Sequence, residues 1–320
     1  MFSVKDYCKC CQDDAYGGSI ELVDAGIEAM INDANATEFD SVKAFHDKIQ
    51  ADVDDILAVS TSVLPLINLM IKVLDFSDKA ETESDIEAVK NGYIAMLSAH
   101  REAQKKYTEN IGKFGAGLIP DNAKFGTFST SGSVMSVLTE AVNKNKKIEA
   151  VCFEARPHNE GYRTLKEISE LGISTTLGVD ALLCCLIPKC DVFMIGADAI
   201  TVSGDVFAKT GSFPAALVCK YYGIPFYVVA DTSKFDSMSV FGFPLKDSSR
   251  PPEEVTNKEF PDTANVANIS FELIPAELIK GIITEKGIIP PTSISSIAKV
   301  DMSDKVIEKL GNWLNEEREM

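Results

Sequence analysis

The chain has 320 residues, of which 45% are hydrophobic and 25% are charged, a composition typical of a globular protein with about two domains. Its 48 acidic residues outnumber 31 basic ones, and the net charge of −17 argues against direct binding to nucleic acid or to an anionic membrane surface. The apolar runs are shorter than the roughly 18 residues of a membrane span. Because the N-terminus also lacks the layout of a signal peptide, a cytoplasmic location is expected.

Residues 1–115 are predicted to form an all-helical domain. Apolar residues recur at helical spacing in four segments of this region, and Pro65 is expected to kink or interrupt the third of them. Ser84 and Glu87 have the spacing of a capping box at the start of the fourth. A glycine-rich stretch, 112–120, is the predicted boundary with the next domain. The four predicted helical segments are 20–32, 41–49, 53–74 and 82–107.

Residues 116–320 are predicted to form a Rossmann-like, doubly wound α/β domain. Short apolar runs alternate here with helical patterns of about ten residues, which indicates a parallel sheet covered by helices on both faces. A polar excursion at 237–268 and an amphipathic helix at 304–317 with Trp313 are also expected. The predicted strands are 124–130, 148–154, 173–178, 191–195, 225–230, 269–273 and 281–285, and the predicted helices are 134–143, 161–171, 180–187, 211–222 and 275–279.

The sequence contains eight cysteines. Four of them, Cys152, Cys184, Cys185 and Cys219, lie in apolar runs and are predicted to be small buried hydrophobic residues. An N-terminal group of three at positions 8, 10 and 11 leaves open a metal-binding or oxidisable cluster. No metal and no other cofactor is otherwise predicted.

Polar residues follow the predicted strands, where open parallel sheets bind ligands. The first strand leads into Phe128-Ser-Thr-Ser-Gly-Ser133, whose hydroxyls and backbone N–H groups at a helix start suit a phosphate, although Ser or Thr there also serves as a plain N-cap. After the second strand, Arg156 offers a planar cation for a phosphate or carboxylate. Its neighbour His158 is either an acid–base group or a surface histidine.

Further charged residues follow the next strands. Asp180 either caps a helix or faces the cleft, whereas Asp198 follows a buried strand, so burial is expected to raise its pKa and suit it to proton transfer. Lys209 precedes a glycine-containing helix start and is a second anion candidate. Because no GxGxxG pattern follows a strand, a nucleotide-dependent dehydrogenase is a weak alternative. The residues thus predict a polar cleft that binds an anionic small molecule.

A series of motifs in this order resembles one superfamily. It contains the alpha, beta and delta subunits of translation initiation factor 2B and two isomerases, which act on methylthioribose-1-phosphate and on ribose-1,5-bisphosphate. The resemblance is strong over residues 120–300 and implies a helical domain, a Rossmann-like domain and a homodimer or larger homo-oligomer. The motifs are Glu154-x-Arg-Pro-x-x-Glu-Gly161, Gly196-Ala-Asp198-x-Ile, Lys209-Thr-Gly211, Pro225-Phe-Tyr-Val, Lys234-Phe-Asp236 and Ile282-Ile-Thr-Glu-Lys-Gly-Ile-Ile289.

The resemblance also implies roles for individual residues. In the isomerases, a cysteine after the first strand and the aspartate of Gly-Ala-Asp carry the chemistry, and these positions correspond to Ser129 and Asp198, the candidate catalytic pair. An N-terminal Arg-Gly-Ala motif grips phosphate in isomerases, and its nearest counterpart here, at 15–19, has no arginine. The candidate ligand-binding residues are Gly17, Gly18, Ser19, Ser131, Ser133, Arg156 and Lys209.

The serine at position 129 decides between two functions. A thiol, with a pKa of about 8.5, exchanges a proton near neutral pH far more readily than a hydroxyl does, and losing one acid–base group costs about 10² to 10⁴ in rate. The preferred prediction is therefore a regulatory protein like the alpha subunits of initiation factor 2B, with a phosphorylated sugar or nucleotide as ligand and protein partners in translation initiation. The alternative is an intramolecular aldose–ketose isomerase with Ser129 in place of the catalytic cysteine. Whether the protein is an enzyme stays open.

Overall fold

The computed structural model describes residues 2–12, 19–59, 63–236, 239, 249–259, 261, 263–297, 308 and 311. The chain divides into two compact units, one containing Met1–Lys105 and the other Lys106–Lys299. A helical region followed by an α/β region confirms the predicted fold class. Within the described ranges, no helix is long and apolar enough to cross a lipid bilayer.

Helices account for the secondary structure described in the N-terminal region. The fourth helix is buried over most of its surface, and Pro65 lies in its first turn, where the missing N–H leaves no helical hydrogen bond unmade. The predicted segment 53–74 is therefore parts of two helices, and the first helix was not predicted. The helices are α1 (Val4–Gln12), α2 (Ser19–Ala36), α3 (Val42–Val59), α4 (Leu64–Ala80) and α5 (Ile86–Leu118).

Helix α5, with 33 residues, continues through the glycine-rich stretch that was expected to separate the domains. Asp85 caps its N-terminus, because the side-chain oxygen accepts a hydrogen bond from the backbone N–H of Ala88 at 3.1 Å; the predicted cap at Ser84 is one residue early and wrong. A Cβ at Gly115 would come within 2.4 Å of Val137. The glycines here thus allow close helix packing and do not interrupt the helix.

Seven strands form the main sheet in the order β10-β9-β7-β4-β1-β2-β3. All neighbours run parallel except β10, which is antiparallel to β9. Counted along the chain, the six parallel strands lie in the order 3-2-1-4-5-6, which confirms the Rossmann-like prediction. The strands are β1 (Ala123–Gly126), β2 (Ile148–Phe153), β3 (Ser174–Gly178), β4 (Val192–Ile195), β7 (Phe226–Val229), β9 (Gly281–Thr284) and β10 (Gly287–Ile289).

The main sheet is buried on both faces. Successive residues of a strand point to opposite sides, so Phe193 of β4 packs in one core and Met194 in the other. In the first core, the ring of Phe193 stacks on Phe226 of β7 with 5.9 Å between centroids. The described helices of this unit beyond α5 are α6 (Gly132–Asn143), α7 (Gly161–Glu170), α8 (Leu183–Leu186), α9 (Ser212–Tyr222) and α10 (Ile294–Ile297).

A second, three-stranded antiparallel sheet was only partly predicted. It consists of β5 (Ala199–Ile200), β6 (Val206–Lys209) and β8 (Phe271–Ile274), with β6 in the middle. Its register pairs Lys209 with Phe271. At its described positions, the predicted excursion contains a 3-10 turn at Pro252–Glu254 and an isolated β-bridge between Ser249 and Ile269. The predicted terminal helix 304–317, with Trp313, lies outside the described residues apart from positions 308 and 311.

The cysteines of the α/β unit divide into buried and exposed residues. Cys152 and Cys219 are buried, as predicted, and so is Cys190. Burial raises the pKa of the Cys152 and Cys190 thiols to about 11, so both are protonated at neutral pH. The prediction was wrong for Cys184 and Cys185, which are exposed because α8 is a single turn that lies at the surface.

Candidate active site at the ends of β1 and β4

The loops that follow β1 and β4 touch each other where the strand order of the main sheet reverses. A Cβ at Gly196, directly after β4, would lie 2.6 Å from the hydroxyl oxygen of Ser131, which follows β1. Only glycine leaves room for this approach. The predicted site is therefore at the carboxyl ends of two adjacent parallel strands, the place where such sheets bind ligands.

In the loop after β1, Ser129 has a strained backbone conformation that hydrogen bonds to its side chain and its carbonyl group stabilise. Its φ of +61° is rare for a residue with a side chain, and the residue is buried. The hydroxyl Oγ donates a hydrogen bond to Oε2 of Glu160, and the backbone carbonyl accepts one from Thr164 Oγ1 at 2.8 Å. These contacts fix the direction of the Ser129 hydroxyl.

Glu160 connects Ser129 to Lys209. While Oε2 of Glu160 accepts from Ser129, Oε1 lies 3.0 Å from Nζ of Lys209. The Lys209 side chain is 8% exposed, and its ammonium lies 6.0 Å from the centre of the Phe271 ring. Sequence reasoning did not assign Glu160 a role, although it stands in the Glu-x-Arg-Pro-x-x-Glu-Gly motif. The structure thus joins three side chains from three separate segments.

Asp198 adds a second carboxyl group to this site. The side chain is part-buried, and burial raises the pKa of Asp198; the nearby charge of Glu160 adds to the rise, whereas Lys234 and Lys209 oppose it. The expected direction of this pKa shift is confirmed. Among the residues that the structure describes, no side chain forms a hydrogen bond or ion pair with the Asp198 carboxyl. Lys234 instead donates to the carbonyl oxygen of Ala197.

The N-terminus of α6 offers a place for an anion. Ser131 is the N-cap, and its Oγ accepts a hydrogen bond from the backbone N–H of Val134 at 3.3 Å. The backbone N–H groups of Gly132 and Ser133 have no acceptor within the described part of the chain. Free N–H groups and the helix dipole both favour a phosphate at such a position. Ser131 therefore confirms the predicted N-cap, and phosphate binding at the open helix end stays a prediction.

The N-terminus of α9 is already occupied by a carboxylate of the protein. Oε1 of Glu272, on β8, accepts hydrogen bonds from the backbone N–H groups of Gly211 at 2.6 Å and Phe213 at 2.8 Å. The helix start beside Lys209 was a predicted anion position. An anion contact from Lys209 itself stays a prediction, but the helix start beside it is taken, because β8 brings the side chain of Glu272 onto its N–H groups.

We expect Glu272→Gln to lower the free energy of unfolding by about 1 kcal/mol, because a charged acceptor at a helix N-terminus is worth roughly that much. Urea unfolding followed by circular dichroism at pH 7 measures the change. Glu277→Gln is the matched control, since Glu277 is an exposed glutamate three residues after β8. Equal stability of the two variants would contradict the capping role.

The loop after β2 is held by Asp180. Its Oδ1 and Oδ2 accept hydrogen bonds from the backbone N–H groups of Ala155 and Arg156, both at 2.9 Å. Asp180 was expected either to cap the next helix or to face the cleft. Instead it secures the loop that leads to Glu160, and both expectations were wrong because its two oxygens are taken up by main-chain donors.

Arg156 and His158 attach the same loop to a distant segment. The Arg156 guanidinium donates to the carbonyl oxygen of Val255 at 2.7 Å, and His158 Nε2 lies 3.3 Å from Glu254 Oε2. Both side chains are exposed. The structure therefore gives them a role in holding the loop, while a contact between Arg156 and a ligand stays a prediction.

The remaining candidate residues belong to the N-terminal region. Gly17 and Gly18 lie outside the described residues, and Ser19 is the first residue of α2. A phosphate contact from this region stays a prediction. In the α/β unit, the structure joins Ser129 and Lys209 through Glu160, places Asp198 within electrostatic reach of Lys209, and sets Ser131 and Ser133 at the start of α6.

Comparison with known proteins gives the same superfamily. Residues 16–291 match the initiation factor 2 subunit family. The ribose 1,5-bisphosphate isomerase of Methanocaldococcus jannaschii is 37% identical over 65% of each chain, so the match spans just under two thirds of that relative. The methylthioribose-1-phosphate isomerase of Thermoanaerobacter sp. is 33% identical over 80% of this chain and 78% of the relative.

The solved structures include the delta subunit of translation initiation factor eIF-2B from A. fulgidus. It is 26% identical, with a TM-score of 0.72, and the superposition covers 96% of this chain and 92% of that one. Both isomerases and initiation factor subunits are thus similar to this protein. Since the family match extends over most of the chain and agrees with the topology, the protein belongs to the initiation factor 2 subunit family.

Proposed function

We propose that the protein is a sugar-phosphate isomerase that converts a phosphorylated aldose into the corresponding ketose. The observation that carries this proposal is Asp198, a part-buried carboxyl group with a raised pKa and no bonded partner within the described residues. The similar proteins named as isomerases support the same choice. Asp198 and these relatives outweigh the preference for a regulatory protein, which rested on the shared motifs, on Ser129 and on the missing arginine at 15–19.

The reaction needs one proton donor and one proton acceptor. In an aldose 1-phosphate ring, the bond between C1 and the ring oxygen breaks, and that oxygen takes up a proton. The hydrogen on C2 moves to C1, and the hydroxyl on C2 loses its proton as the ketone forms, so that no atom is gained or lost. With its raised pKa, Asp198 stays protonated to a higher pH than an ordinary aspartate and suits the donor role.

Binding of the phosphate would use the open end of α6. The N–H groups of Gly132 and Ser133 supply donors there, and the ammonium groups of Lys209 and Lys234 supply positive charge near Asp198. These two cations offset the carboxyl groups of Glu160 and Asp198 at the site, in a chain whose net charge of −17 otherwise repels anions.

The experiment is a ³¹P NMR assay of the purified protein with ribose-1,5-bisphosphate and with methylthioribose-1-phosphate. We expect conversion of at least one of them to the ketose phosphate, and loss of that conversion in Asp198→Asn. If the wild-type protein leaves both substrates unchanged at millimolar concentration over hours, the isomerase proposal is wrong.

A second candidate function is a regulatory protein that binds the same ligand without turning it over. The hydroxyl at Ser129, where the isomerases have a thiol, favours it. Calorimetric titration with the two sugar phosphates, run beside the NMR assay, separates the candidates. Binding without turnover would support the regulatory function, and protein partners in translation initiation would then be sought. Light scattering of the same samples tests the proposed homo-oligomer.

A further inference from the structure

We propose that Glu160 is a positioning residue that takes up the proton of the reaction through the Ser129 hydroxyl. This inference rests on the isomerase function proposed above. Its geometric basis is the continuous chain from Ser129 Oγ to Glu160 Oε2, and from Glu160 Oε1 to Lys209 Nζ at 3.0 Å. The hydroxyl proton of Ser129 is already directed at a carboxylate oxygen.

The proton transfer balances without any further reactant. As the ketone forms, the hydroxyl on C2 of the sugar gives its proton to Ser129 Oγ, while Ser129 gives its own proton to Glu160 Oε2. The serine ends neutral, the sugar oxygen becomes the carbonyl oxygen, and Glu160 becomes a neutral carboxylic acid. This proton then returns to solvent, because the Glu160 side chain is 28% exposed.

This coupled transfer from the substrate to Ser129 and from Ser129 to Glu160, here called the relay, explains how a serine can serve where the related isomerases have a cysteine. A serine alkoxide next to Glu160 would place two negative charges side by side, which is unfavourable in a part-buried site. A hydroxyl that accepts one proton as it releases another never carries that charge. Lys209, nearly buried on the other oxygen, holds the Glu160 carboxylate in the orientation that the transfer needs.

The first experiment measures this coupling without relying on turnover. Ser129→Cys places a titratable thiol at the position, and its alkylation by iodoacetamide is followed against pH by mass spectrometry of the peptide containing position 129. Adding Glu160→Gln is expected to lower the pH of half-maximal alkylation by about one unit, because removal of the negative charge favours the thiolate.

The matched control is Ser131→Cys, with and without Glu160→Gln. Ser131 is two residues away and caps α6, so its substitute thiol is expected to react at nearly the same pH in both backgrounds. An unchanged alkylation pH at position 129 on adding Glu160→Gln would overturn the proposed contact. Peptide mass spectrometry keeps the exposed Cys184 and Cys185 from contributing to the signal.

The second experiment compares kcat and KM of Ser129→Ala, Glu160→Gln and the double variant on the substrate that the wild-type protein converts. If Glu160 acts through Ser129, each single change lowers kcat about 100-fold with little change in KM, and the double variant is no slower than either. Glu160→Asp, which keeps the carboxylate, is expected to recover part of the rate. Losses that multiply in the double variant would overturn the relay.

The two experiments distinguish failure of the proposed isomerase function from failure of the proposed role of Glu160. A wild-type protein without turnover contradicts the isomerase function and with it the relay, whereas the alkylation result still decides whether Glu160 sets the charge at position 129. Turnover together with an unchanged alkylation pH and multiplying losses would leave the isomerase function standing and remove the relay through Ser129 from it.

Discussion

Asp198→Asn is expected to lower kcat for aldose–ketose isomerisation by about 10² to 10⁴, the usual contribution of one acid–base group. An amide has nearly the shape of the carboxyl group but cannot donate an acidic proton to the ring oxygen of the sugar. Because the proposed phosphate contacts do not involve this side chain, KM is expected to change much less than kcat. A loss under 10-fold would contradict the donor role.

The same substitution is expected to stabilise the protein at neutral pH, by about 1 kcal/mol or a few degrees in Tm. Burial raises the pKa of Asp198 in the folded state, so the folded state binds the proton more tightly than the unfolded state. Its stabilising contribution is complete below the unfolded pKa of about 3.9 and is lost as the pH rises through the higher folded value. Asparagine carries no charge to bury.

The stability difference between Asp198→Asn and wild type should therefore widen as the pH increases. Thermal unfolding at a series of pH values from 4 to 8 measures it. Asp40→Asn, at an exposed position just before α3, is the control for a general loss of one negative charge. A difference that narrows with increasing pH would show that the folded-state pKa of Asp198 is lowered and not raised.

Gly161→Ala is expected to destabilise the protein by about 3 kcal/mol or more, in the range of a severe steric clash. A Cβ at Gly161, the first residue of α7, would lie 1.7 Å from the carbonyl oxygen of Phe153 and 2.6 Å from its carbonyl carbon. Phe153 is fully buried in β2, so its backbone cannot move aside. Helix α7 must then shift and carry the neighbouring Glu160 away from Ser129.

Thermal unfolding and the isomerase assay together test this expectation. The control is Gly117→Ala in α5, where a Cβ meets no atom within 4 Å and alanine is the better helix former, so stability should be unchanged or up to about 1 kcal/mol higher. If Gly161→Ala unfolds within 2 °C of wild type, the close approach of α7 to β2 is not rigid.

The fold was predictable where a single strand or helix has a recognisable pattern of apolar residues in its own sequence. The buried parallel strand β4 is a continuous apolar run, and α7 has clear helical spacing, so their order and type were evident. Strand β5, of two residues, is too short to show a period, and β6, a four-residue stretch that ends in Lys209, falls in a segment predicted as a loop before a helix. They exist because tertiary contacts pair them with each other and with β8.

The site was predictable where a residue's role depends on its position after a strand. Asp198 and Ser129 follow β4 and β1 directly, and the reversal of strand order brings such positions together. Glu160 was missed because its role depends on partners 31 and 49 residues away in the sequence. The role of Asp180 was missed for the same reason, because its carboxylate oxygens accept hydrogen bonds from main-chain N–H groups of a loop about 25 residues earlier in the sequence.

The carboxylate of Glu272 on the N-terminus of α9 has a consequence for ligands with two phosphates. Of the two helix starts that stood out in the sequence, α6 alone keeps main-chain donors for an incoming anion. A second phosphate would have to be held by lysine side chains, whose attraction weakens as ionic strength increases. Discrimination between a bisphosphate and a monophosphate sugar should therefore fade in concentrated salt, while affinity for the monophosphate persists.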